Sequence, residues 1–150
     1  MARLKTYLLA LALLSLGACT QRSGRPVEDE TVHAFMAGRI SQLAQRIEAL
    51  AFDQNRTLPE LGEDRQRVAD QIVEAARALS GVAGELTELG GSLALDSSGR
   101  RQFQALSTNL VNASNAVADA AATQSLEDMP ESIATLQGTC TACHSIYRGR

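Results

Sequence analysis

Aromatic residues make up only 3% of the 150-residue chain, tryptophan is absent and proline occurs three times. So few aromatic residues argue against a sheet-built core, while the abundant Ala, Leu, Gln, Glu and Arg favour helix, so the expected class is all-α. Lysine is nearly missing as well, its one occurrence being Lys5. An apolar fraction of 45% is enough for one sizeable core, and the length allows one domain.

The N-terminus reads as an export signal. Arg3 and Lys5 precede an uncharged apolar run from Tyr7 to Leu16, too short to span a bilayer comfortably. The run ends in Leu16-Gly17-Ala18-Cys19, which resembles the lipobox of bacterial lipoproteins, with Cys19 as the lipidated first residue of the mature chain; an ordinary signal peptide is the plainer reading. Several acyl chains on one residue anchor stably. The expected organisation is a signal peptide over 1–18, a flexible tether over 19–27 and a domain over 28–150, with the protein held to a membrane facing the periplasm. Thr20, where aspartate is absent, leans toward the outer membrane under enteric-type sorting. Removing residues 1–18 leaves twelve Arg against seventeen acids, a formal charge of −5, which makes nucleic acid an unsuitable partner.

Four segments carry helical periodicity. The first sets Val32, Phe35, Met36, Ile40, Leu43, Ile47 and Leu50 at spacings of three and four. Thr57-Leu58-Pro59-Glu60 has the form of a capping box and opens a stripe from Val68 to Leu89, inside which Gly81 and Gly84 predict a bend or split. A loop of about ten residues with the turn-like DSSGR then leads to a third stripe from Phe103 to Ala120. The fourth begins near Asp128 or Pro130 and places Ile133, Leu136, Cys140, Cys143 and Tyr147 on one face. Four such helices imply an antiparallel up-and-down four-helix bundle.

The last helix carries Cys140-Thr141-Ala142-Cys143-His144, the C-x-x-C-H attachment sequence of c-type haem. Residues at i, i+3 and i+4 share a helix face, so two thiols can add to the two vinyl groups of one porphyrin while the imidazole reaches the iron from the same side. A zinc site needs more ligands than the chain offers once Cys19 is lipidated, leaving only His33 to add. A thioredoxin-like pair belongs at a helix start in a βαβ setting. A plain disulfide leaves His144 without a role.

With that motif near its C-terminus and four helices before it, the chain resembles the class II c-type cytochromes, the cytochrome c prime family, across about residues 28–150; Tyr147-Arg148 follows the family's habit of an aromatic and then a basic residue. The resemblance implies one covalent haem c with His144 as proximal ligand and Arg148 lining the proximal side. It also puts Met36 at the first-helix position facing the iron, where low-spin members carry methionine and gas-binding members a non-ligand. Many members pair as homodimers through their first two helices, so a homodimer is the candidate assembly.

Bundle geometry nominates Leu86, Leu89, Leu93, Phe103 and Leu106 for the haem wall, at the level shared by Met36 and His144. Met36 as core filling, His33 as a competing ligand, and Arg39, Arg100 and Arg101 as partners of the haem propionates are further readings of the same residues. The expected function is non-enzymatic: an exported, lipid-anchored electron-transfer haemoprotein serving redox protein partners through a Met36/His144 ligand pair. The alternatives are a five-coordinate haem that binds nitric oxide or carbon monoxide, and a metal-free bundle acting as an interaction surface.

Overall fold

The computed structural model describes residues 29–52, 64–123 and 128–148. The leader, Cys19, the tether and the Thr57–Glu60 capping box lie outside them. The first rod is one continuous helix in three parts: α1 (Glu30–Phe35), a π turn (Met36–Ile40) and α2 (Ser41–Ala51). It is followed by α3 (Arg65–Leu89), α4 (Ser97–Ala122) and α5 (Met129–Tyr147), with no strand among the described residues.

Three of the described helix starts have a local cause. The Asp29 carboxylate accepts from the N–H groups of Thr31 and Val32 and opens α1. Pro130 occupies the first turn of α5, where a missing N–H is harmless. Asp96 caps α4, accepting from Gly99 N at 2.7 Å and from the Ser98 hydroxyl at 2.8 Å. The DSSGR stretch, expected as a turn, is therefore a capped helix start, and the connection before α4 shortens to residues 90–96. The expected split at Gly81 and Gly84 does not occur: α3 is unbroken. A Cβ at either glycine meets nothing within 4 Å, and the neighbouring Leu79, Val82, Ala83 and Leu86 pack the core and hold the helix through them.

The π turn has a counterpart in the spacing of the buried residues. Val32, Ile40 and Ile47 are all buried. Residues eight apart in a regular α-helix point about 80° apart around the axis. The wider turn, in which Ser41 N–H bonds to the Met36 carbonyl, absorbs the excess and returns Ile40 to the core side.

The bundle is antiparallel, as expected. Val32, Leu86, Leu93, Phe103 and Tyr147 form one cluster, which puts the start of the first rod, the end of α3, the start of α4 and the end of α5 at one end. The Tyr147 hydroxyl donates to the Gly99 carbonyl at 2.8 Å and ties α5 to α4 there. The larger core, built on Ile47, Ile72, Leu79, Val117 and Ile133, fills the rest. Three seams close by direct packing, α2 on α3, α3 on α4 and α4 on α5, whereas the backbones of the first rod and α5 scarcely approach each other.

Two predictions test this frame. A Cβ on Gly90 would stand 2.6 Å from Phe103 Cδ1. Gly90 has helical φ and ψ, so alanine there gains about 0.5–1 kcal/mol in backbone entropy, while overpacking costs about 1–3. Denaturant unfolding of Gly90→Ala should therefore show net destabilisation. Separately, the Gly99 N–H and then the Ser98 hydroxyl hold the Asp96 carboxyl below its ordinary value. A depressed folded-state value contributes stability above the unfolded one, about 4, and loses it as pH falls through the folded one. Thermal melts of Asp96→Asn should thus decline less steeply below about pH 4 than those of the parent.

Candidate functional site

The open seam holds two adjoining cavities. The first, about 190 Å³, is walled by Val32, Met36, Leu86, Phe103, Cys143, His144, Tyr147 and Arg148, with His33 at its edge. The second, about 200 Å³, runs on past Ile40, Ala44, Glu48, Leu106, Leu110 and Cys140. Met36, Ser41, Leu86, Cys143 and His144 line both. Each alone falls below the roughly 300–1,000 Å³ of small-molecule sites, and joined through those five residues they reach that range.

The expected residues converge here. Cys143 and His144 face both cavities and Cys140 faces the second, as their positions on consecutive turns of α5 require. Met36 meets them from the opposite side of the seam, at the first position of the π turn. Phe103 and Arg148 wall the first cavity and Leu106 the second. Leu86 lies on both walls, while Leu89 and Leu93 pack behind them in the end cluster. Of the arginines considered for propionates, Arg39 is held by the Glu85 carboxylate on α3, with its guanidinium 4.9 Å over the Phe35 ring. Arg100 donates to the Leu95 carbonyl, Arg101 is exposed, and none of the three lines a cavity. Arg148 does.

Several site residues escaped the sequence reading. Ser41, Gln45 and Glu48 form a polar line along one side of the first rod that borders the second cavity. Their i, i+4, i+7 spacing beside the apolar stripe was the signal available. Tyr147, read as one of an apolar face, also has a positioning role: its ring meets Phe103 edge-on at 5.2 Å and 76°.

Electrostatics keep the donors neutral. Burial, and then the Glu48 charge, push the Cys140 thiol up. Burial and then Cys140 push Cys143 up to about 11. Burial and then the Arg148 charge push His144 down. At neutral pH the site therefore offers two protonated thiols, both free, and an imidazole with an open lone pair. Burial raises Tyr147 too, ahead of Cys143 and Asp96, so its hydroxyl stays a donor.

These residues fit a haem. The seam is open on the one side where the thiols and imidazole emerge, and the cavities extend to either side of them along an apolar wall. A thioether and an imidazole stand on opposing helices, and a cation lies at the first cavity for a carboxylate-bearing group. Among the described residues, no three His, Cys, Asp or Glu side chains are grouped to hold a metal ion by themselves, so an ion here depends on a macrocycle for its remaining ligands.

Comparison with known proteins bears on the same segment. The family model described as Cytochrome C' matches residues 97–148, which cover α4, α5 and the C-x-x-C-H run. Searches of curated proteins and of solved structures found no match. Over residues 97–148 the chain is similar to the cytochrome c prime family, the class II c-type cytochromes.

Proposed function

We propose that the chain is a lipid-anchored periplasmic electron carrier in which Cys140 and Cys143 hold the haem, His144 is its proximal ligand and Met36 its distal one. The family's cofactor is a covalently bound haem c, typically one, and its members are in general not enzymes. The observation that carries the finer reading is that Met36 and His144 line both cavities from facing sides of the one open seam. When bound, the group supplies a one-electron ferric–ferrous couple.

Every other contribution is the chain's. His144 arrives deprotonated, since burial and Arg148 both disfavour its charged form. Its position follows from the end of α5, which Tyr147 pins to α4 through the Gly99 carbonyl. Met36 brings a soft donor that favours the ferrous state and raises the potential. Val32, Leu86 and Phe103 give the first cavity an apolar wall. Arg148 offers a cation to the propionates. The anchor at Cys19, the periplasmic side and a lean toward the outer membrane rest on the signal-like N-terminus. No helix among the described residues is long and apolar enough to cross a membrane. The partners are redox proteins, with a homodimer as the candidate assembly.

Spectroscopy separates this from gas binding. The purified protein should be red, with an intact mass that includes one haem. Its low-spin ferrous spectrum should stay unchanged under carbon monoxide, and Met36→Ala should turn most of the population high-spin and reactive to the gas. A high-spin, gas-reactive parent transfers the assignment to the five-coordinate alternative. Cys19→Ala should move the protein from the membrane pellet to the soluble periplasmic fraction; retention in the pellet refutes the lipid anchor.

A further inference from the structure

The two cavities differ in charge. Arg148 lies on the first, while Glu48, half-buried in α2, supplies the one carboxylate on either wall among the described residues. The surroundings of Glu48 do little to neutralise it. Its oxygen accepts from the Gln137 side-chain amide at 3.0 Å, which is uncharged. Nearby hydroxyls on the same wall are committed to their own helices, Ser107 to the Phe103 carbonyl and Thr139 to the Thr135 carbonyl. The Arg39–Glu85 pair lies outside the cavity. Glu48 already acts on this space, since after burial its charge is the next cause that raises the Cys140 thiol.

Reduction of a haem iron adds one electron and no other charge, so a fixed anion beside it disfavours the ferrous state. A half-buried anion is screened by salt far less than a surface one. We infer that Glu48 is a potential-setting residue: a carboxylate on the second cavity's wall that holds the haem's reduction potential below what the ligand pair and Arg148 alone would give. Glu48 opposes Arg148, and the carrier's potential reflects the balance of the two charges across one cofactor. The inference rests on the haem reading given above.

Midpoint potentials by spectroelectrochemistry, with absorption spectra of both oxidation states, test it. Glu48→Gln should shift the potential positive and leave the low-spin spectra unchanged, which excludes a ligand change as the cause. Gln137→Ala removes the same hydrogen bond but keeps the charge, so it should give no positive shift. Gln45→Glu, which adds a carboxylate on the same wall, should shift the potential negative; it serves as the test if Glu48→Gln does not load haem. Glu74→Gln, on the exposed face of α3, is the surface control and should stay at the parent value. An unchanged potential in a red Glu48→Gln protein overturns the inference. So does a positive shift of equal size in Gln137→Ala, which would trace the effect to a loosened helix contact, or a null result in Gln45→Glu when that variant stands alone. A colourless parent protein overturns the haem reading itself, before any potential is measured.

Discussion

A four-helix bundle has four seams, and here close helix-on-helix packing closes three of them. Small residues let α3 and α4 approach closely: Ala75, Ala76 and Ala83 on one and Ala113, Ala118 and Ala121 on the other are all buried. The seam between the first rod and α5 lacks that contact, and into it project Met36 from one side and Cys140, Cys143 and His144 from the other. Interiors pack to the density of organic crystals, so a gap of this size is a place built for something. The pinning of α5 by Tyr147, the apolar wall from Leu86 and Phe103, and the neutral state of the thiols and imidazole all acquire a purpose from that one open side.

The π turn belongs to the same constraint. The first rod has to serve a core at Ile40 and Ile47 and, at Met36, a cavity that the core does not fill. π turns recur where a helix carries a functional side chain, and this one starts at Met36 itself. The Arg39–Glu85 pair, with Phe35 beneath the guanidinium, fastens the outer side of that turn to α3.

Much of this was legible in the residue order because its causes are local. The stripe of Ile133, Leu136, Cys140, Cys143 and Tyr147 follows from helical spacing alone, and C-x-x-C-H states its chemistry in five residues. The antiparallel order followed from helix count and short links, which is why Met36 and His144 could be set at one level. What stayed hidden depended on competition between local and tertiary terms. Asp96 reads as a turn residue and as a cap with equal ease, and the Gly99 N–H within reach decides for the cap. Gly81 and Gly84 each weaken a helix by up to about 1 kcal/mol, a penalty that the packing of Leu79, Val82 and Leu86 outweighs. The π turn leaves no signature in the residue order, because Val32 and Ile40, eight apart, also share the broad apolar face of a regular helix. Glu48 looks like any solvated acid until α5 is brought opposite it.

The open seam bears on stability as well. Both cavities open to solvent, so water can satisfy their polar side at Ser41, Gln45 and Glu48, but along Leu86, Leu106 and Leu110 it meets apolar wall whose burial would be favourable. A group that fills the seam therefore stabilises the bundle by mass action wherever it binds the folded state in preference to the unfolded one. With Cys140 and Cys143 on α5 and Met36 on the first rod, a group held by all three would bridge the fourth side of the bundle, and its loading would be coupled to closing that side.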